Sequence, residues 1–220
     1  MVRGRLGVAL FGCSGTVSSV EPAWSTDAAQ RYGEELMTGV RVRLRGLRDD
    51  DLPRLAGWWQ DPVVEALQMT WVNPPSETAA RDLFARWSTN QDTGVGFSIE
   101  TLPDGDRPSR LIGHLVLFNV SAKNRSATYA IGLGPADVGR GFGTDATRLA
   151  VRYGFREMGL HRIELQALAF NDRALAAYRR AGFVLEGRRR DAVFHDGRWH
   201  DEMLMAVLHS DPIPPTTPEQ

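Results

Sequence analysis

Gly139-Arg140-Gly141-Phe142-Gly143-Thr144 lies between an apolar run ending at Leu133 and a helical pattern at about Thr144–Met158. Three alternating glycines permit a backbone path, and a close approach to a ligand, that a Cβ would obstruct. A helix beginning there presents unpaired N–H groups and the positive end of its dipole, which together suit a pyrophosphate. Arg140 adds a charge fit for a phosphate oxygen. The segment is not a P-loop, because Gly143-Thr144-Asp145 lacks the lysine. Its G-x-G-x-G spacing also departs from the dinucleotide G-x-G-x-x-G. Glu164 does lie about 20 residues on, as that motif asks, but in mid-strand. On this segment alone, a phosphate cradle and a tight turn without ligand both remain open.

Outward from the turn, alternation and turn signals predict strands at Arg41–Leu47, Phe97–Thr101, Leu111–Val120, Thr128–Leu133, Arg162–Ala169, Phe183–Arg189 and Glu202–Leu208. Helices are expected after Asp49-Asp50-Asp51, after Ser76, from about Thr144 to the stop at Gly159, and from Asn171 or Asp172 to Ala181-Gly182. Hairpins come first and strand–helix–strand units later, so the fold class is α/β, a mixed sheet covered by helices.

Residues 1–38 show no sustained period and read as a disordered or weakly ordered extension, with one helical piece near Asp27–Met37. Residues 40–209 form the folded unit, and the proline-rich residues 210–220 a disordered tail. Arg3, Arg5, Leu6–Phe11 and Gly12-Cys13 follow the order of a lipoprotein signal, but the apolar run is shorter than a signal core. Met37 is an alternative start, which would make the extension dispensable.

The 220 residues are 42% hydrophobic and 24% charged, with net charge -1, which offers no electrostatic case for a nucleic-acid or membrane partner. Arg41, Arg43, Arg45 and Arg48, and Arg188–Arg190, are clusters that read as solvated faces. The single cysteine, Cys13, excludes an internal disulfide, no metal-ligand cluster is visible, and a cytoplasmic location is the simplest expectation.

The loop Val138–Gly143, the run Gly159-Leu160-His161-Arg162-Ile163-Glu164-Leu165 and the helix Asn171–Tyr178 with its Ala181-Gly182-Phe183 ending resemble the GNAT superfamily of acyltransferases. The likeness covers nearly the whole folded unit, from Val42-Arg43-Leu44-Arg45 and Asp61-Pro62 to Asp196–Asp201, and is greatest to the ribosomal-protein N-terminal (alanine/serine) acetyltransferase branch. Val138 stands where the family has Gln or Arg, which removes a side chain but keeps the backbone donors.

The resemblance implies a mostly antiparallel seven-stranded sheet, splayed at the cofactor site and flanked by about four helices. It implies acetyl-CoA as co-substrate, no metal, and direct attack by a primary amine in a ternary complex. The acceptor is a protein N-terminus or, alternatively, a small amine such as an aminoglycoside or polyamine. A non-catalytic acyl-CoA-binding module is a further alternative, and the chain is a monomer or homodimer. Cofactor binding falls to Val138, Gly139, Arg140, Gly141, Phe142, Gly143, Thr144 and Asn171. Catalysis falls to a backbone N–H near Leu133, which binds the thioester oxygen, and to Tyr178 as general acid. The strand glutamate that serves as base in this branch is replaced by Thr128, leaving His114, Glu100 or a water chain as candidates. Asn171 is equally a plain helix N-cap, Tyr178 a packing residue and His114 a core histidine.

Overall fold

The computed structural model describes residues 24–68, 71–91 and 93–212. Cys13, the signal-like run before it and Met1–Ala23 of the expected extension lie outside these residues, as does most of the expected tail. The chain runs α1 (Thr26–Met37), β1 (Val42–Arg45), α2 (Leu52–Trp59), α3 (Pro62–Glu65), α4 (Glu77–Trp87), β2 (Gly94–Thr101), β3 (Leu111–Ser121), β4 (Ser126–Leu133), α5 (Phe142–Arg156), β5 (Arg162–Leu168), α6 (Asp172–Arg180), β6 (Val184–His195) and β7 (Arg198–Leu208). Single 3-10 turns at Asp49–Asp51 and Pro135–Asp137 precede α2 and α5.

The seven strands form one sheet in the order β1-β2-β3-β4-β5-β7-β6. Every pairing is antiparallel except β4 with β5. Helices number six among the described residues, against the four expected. α3 adds a single turn too short for periodicity, capped by the Asp61 side chain. α1 is capped by Ser25, buries Leu36 and packs on α5, where the Tyr32 hydroxyl donates to Glu157 over 2.6 Å. The last hairpin is longer than expected. Asp196 and Gly197, both at positive φ, join His195 to Arg198 in the tight turn that suits sheet twist. No described helix is long and apolar enough to cross a membrane.

One sheet face packs under α5 and α6, where Ile99, Leu117, Tyr129, Leu149, Ile163, Leu165 and Met205 are fully buried. The other meets α2 and α4 through a smaller cluster around Leu55, Phe84 and Leu111. The Asp145 carboxylate, in the first turn of α5, accepts the N–H groups of Val40, Arg41 and Val42 at 3.3, 2.7 and 3.1 Å. This buried clamp fixes the start of α5 against β1, and so fixes the turn that precedes it.

Candidate active site

The parallel ladder between β4 and β5 has only three rungs, Ser126 with Arg162, Ala127 with Ile163 and Thr128 with Glu164. Both strands continue beyond it without pairing, to Leu133 and Leu168, so the sheet opens into a gap. On its other side β4 stays paired to β3, and the Gly134 N–H donates to the Ile112 carbonyl at 2.9 Å. Backbone groups alternate sides along an antiparallel strand. Counting back from Gly134, those of Gly132, Ala130 and Thr128 face β3, while those of Leu133, Ile131 and Tyr129 face the gap. The gap therefore offers an unpaired strand edge on which an extended amide chain can pair.

The glycine turn closes the outer end of this edge. Gly139 and Gly141 lie at φ 75° and 83°, a conformation that disfavours any side chain. Gly141 is the N-cap of α5 and supplies no side-chain cap, so the helix opens with Phe142, Gly143 and Thr144 presenting backbone N–H groups. Gly143 is helical, and a Cβ there would lie 3.3 Å from Leu133 Cδ1. Val138 ends the 3-10 turn in an extended conformation. Arg140 is half exposed and partly engaged by the protein. Its guanidinium is 3.4 Å from buried Asp137, which also holds Arg110, and lies over the Phe142 ring. Beside the turn, a cleft of about 500 Å³ is lined by Arg41, Arg107, Arg110 and Arg140.

α6 brings Asn171 and Tyr178 to the same region. Asn171 is the N-cap of the helix, and its Oδ1 accepts the Ala174 N–H at 3.2 Å, leaving the amide N–H₂ for another partner. Tyr178 is half-buried and meets the edge of Tyr129, the first residue past the last rung, with ring centroids 6.3 Å apart. Burial pushes its phenol up to about 12, so it is protonated at neutral pH.

Neither side chain weighed as a base in the sequence is well suited to that task. Glu100 is buried between Arg43 and Arg45; although burial alone would raise its pKa, hydrogen bonds to both guanidinium groups hold it below the usual carboxylate range. His114 is 3% exposed, stacks on Trp87 and shares a 2.8 Å hydrogen bond with Ser88. Burial takes its imidazole down to about 4, against a smaller opposing effect of Asp51. His114 also lines a cavity of about 50 Å³ with Trp58, Trp59, Phe84, Trp87 and β4 residues Ala130–Leu133. Among the described residues, that cavity has no carboxylate in its wall. The tryptophans of the helices over Leu52–Trp87 mark this region in the sequence, but their meeting with His114 and β4 exists only in three dimensions.

A family model for the acetyltransferase (GNAT) domain matches residues 41–184. The chain is similar to the probable N-acetyltransferase YjcK of Bacillus subtilis, 37% identical over 123 residues. That match spans 55% of this chain and 65% of YjcK, short of two thirds of the relative. It is similar to the putative ribosomal N-acetyltransferase YdaF of Bacillus subtilis, 29% identical over 174 residues, 76% of this chain and 91% of that protein. Among solved structures, a spermidine N-acetyltransferase from Vibrio cholerae in complex with CoA and spermine matches with a TM-score of 0.67 at 25% identity. The match covers 77% of this chain and 96% of that one.

Proposed function

The chain belongs to the GNAT acetyltransferase family, and on that premise we propose that it moves an acetyl group from acetyl-CoA to a primary amine. The observation that carries this reading is the strand edge at Tyr129, Ile131 and Leu133, which opens beyond the Thr128–Glu164 rung and runs into a positive-φ glycine turn. Pantetheine is a chain of amides, and an unpaired strand edge can bind it by main-chain hydrogen bonds. Its pyrophosphate then meets the N–H groups of Gly141, Phe142, Gly143 and Thr144. In this reading the side-chain amide of Asn171, whose N–H₂ is not used by its cap bond, holds the arm from the β5 side.

The acetyl carbonyl oxygen accepts a gap-facing N–H, at Leu133 or further back along β4, where charge builds as the amine attacks. Holding both reactants in one groove supplies the orientation that an encounter in water lacks. The thiolate that leaves takes its proton from Tyr178. Val138 and Arg140 act through the backbone of the turn.

For the acceptor, we favour an amine borne on a neutral or apolar body, such as a protein N-terminus. Among the described residues the cavity against β4 has no carboxylate in its wall, whereas a polycation needs paired charges when it leaves water. The relatives' names support a polyamine as the second reading, spermidine above all. An acceptor panel of spermidine, an aminoglycoside and short peptides with free Ala or Ser N-termini, read by CoA release and product mass, decides between them. Failure of every amine in the presence of tight CoA binding would overturn the transferase reading.

A further inference from the structure

We infer that Glu164 takes the proton from the attacking amine, from the strand across the gap, in the place of the acid missing at Thr128. The assignment rests on the transferase reading above. Thr128 and Glu164 are register partners in the last rung before β4 and β5 part. Ala127 and Tyr129 are buried under α5, as are Ile163 and Leu165, so Thr128 and Glu164 both point to the opposite sheet face. That is the face of Ala130 and Gly132 and of the aromatic cavity, where an acceptor approaches β4.

Several carboxylates around this face are engaged, and Glu65 of α3, whose Oε2 has no hydrogen bond among the described residues, is buried and does not line the cavity. Both oxygens of Glu186 are held by Arg162, Glu202 is buried against Arg189, Asp201 is held by Arg188 and the Asp191 N–H, and Glu100 lies between Arg43 and Arg45. Glu164 differs. Its Oε2 accepts Arg162 Nε at 3.1 Å, its Oε1 has no hydrogen bond among the described residues, and its side chain is 49% exposed. It can therefore both receive a proton, directly or through one water, and return it to solvent. Among the described residues its ion-pair partner is Arg162, which also holds Glu186.

The step balances. The ammonium gives one proton to Glu164, and the free amine forms the C–N bond. The C–S bond breaks with its electron pair on sulfur, which takes the Tyr178 proton. The new amide nitrogen sheds its extra proton to restore the phenol, and Glu164 passes its own proton to water. One proton is released per turnover.

Glu164→Gln tests this cleanly, because Arg162 keeps its contacts with Glu186 and the fold is preserved. At pH 7 the variant should lose about 10²-fold or more in kcat/KM for the acceptor, with CoA affinity unchanged. The loss should shrink as pH rises toward the acceptor's own pKa, where the amine arrives neutral; a purely structural role would not produce that convergence. Thr128→Glu added to Glu164→Gln should recover at least tenfold of the lost rate. An active wild-type chain whose E164Q variant matches it at pH 7, or loses the same factor at every pH, overturns the assignment alone. A wild-type chain inert toward every amine overturns the transferase reading and the assignment together.

Discussion

The Tyr129 hydroxyl donates to Thr147 Oγ1 across 2.9 Å, since the one hydroxyl proton of Thr147 is already given to the Gly143 carbonyl at 2.6 Å. Two bonds thus join the residue at which the sheet opens to the first turn of α5. Both residues are buried, so the link is shielded from water. Tyr129→Phe should cost about 1 kcal/mol of stability and weaken CoA binding a few-fold, because the acceptor lone pair of Thr147 is left unfilled and the helix start loosens. Denaturant unfolding and calorimetry measure the two effects. Loss of stability with unaltered CoA affinity would separate the link from the cofactor site.

Apart from its chain neighbours, the nearest atoms to a Cβ at Gly141 are those of the Arg41 side chain at 3.8 Å, so its requirement is conformational and not steric within the chain. At φ 83° a β-branched residue is strained by about 1–2 kcal/mol. Gly141→Val should therefore lower both melting temperature and CoA affinity, the latter at least tenfold as the side chain occupies the phosphate position. Gly143→Ala is the control without backbone strain, meeting only Leu133 Cδ1. A folded Gly141→Val protein that binds CoA normally would remove the turn from the cofactor site.

The parts of this site legible in the sequence are those written locally. The glycine turn, the capped helix from Asn171 and the alternating strands each carry their own residue signal. What could not be read was non-local. The ladder stops at Thr128 and Glu164 through a strand register that no window of sequence contains. Asp145 carries no local signal for its role, which is to bind three N–H groups about a hundred residues away. The β6–β7 hairpin outruns its expected ends, by residues 190–195 on one strand and 198–201 on the other, because those stretches are mostly exposed and lack the alternation that marks a strand. Arg43 and Arg45 read as a solvated face, yet both hold Glu100 on the neighbouring strand, a cross-strand pairing that no local pattern announces.

Removal of residues 1–36, to start at Met37, deletes Leu36 from the core and the Tyr32 bond to Glu157. Burying a leucine is worth about 1.5–3 kcal/mol. For a domain of this size the melting temperature should fall by roughly 5 °C. α1 packs on the outer flank of α5, away from the gap, so kcat and CoA affinity should hold. A tenfold loss of turnover in the soluble truncated protein would place the segment in the site or its assembly.

His114 should make the fold sensitive to mild acid. Its imidazole titrates near 4 in the folded chain, against 6.5 for the ordinary value, so the unfolded chain binds the extra proton first. Stability is then complete above about pH 6.5 and declines as pH falls toward 4. The loss at pH 5 relative to pH 7 should be about 2 kcal/mol. Urea unfolding at the two pH values measures it. His114→Leu, whatever its stability at pH 7, should flatten that decline; an equally steep decline would assign the acid sensitivity elsewhere.

Tyr178 has no side-chain hydrogen bond among the described residues, and its ring is held by Tyr129 and Phe183. Tyr178→Phe keeps those contacts and removes only the proton, so melting temperature and CoA affinity should barely move. If the phenol protonates the departing thiolate, kcat should fall by about 10²–10⁴-fold. Because burial lifts its titration to about 12, the group stays protonated as pH rises, and its loss should appear as a steep fall in rate only near that pH. An alkaline fall in wild-type rate at a much lower pH must then come from another group, and it should persist in the variant. Full kcat in Tyr178→Phe, measured with the chemical step rate-limiting, would reduce Tyr178 to a packing residue between α6 and the strand that opens the gap.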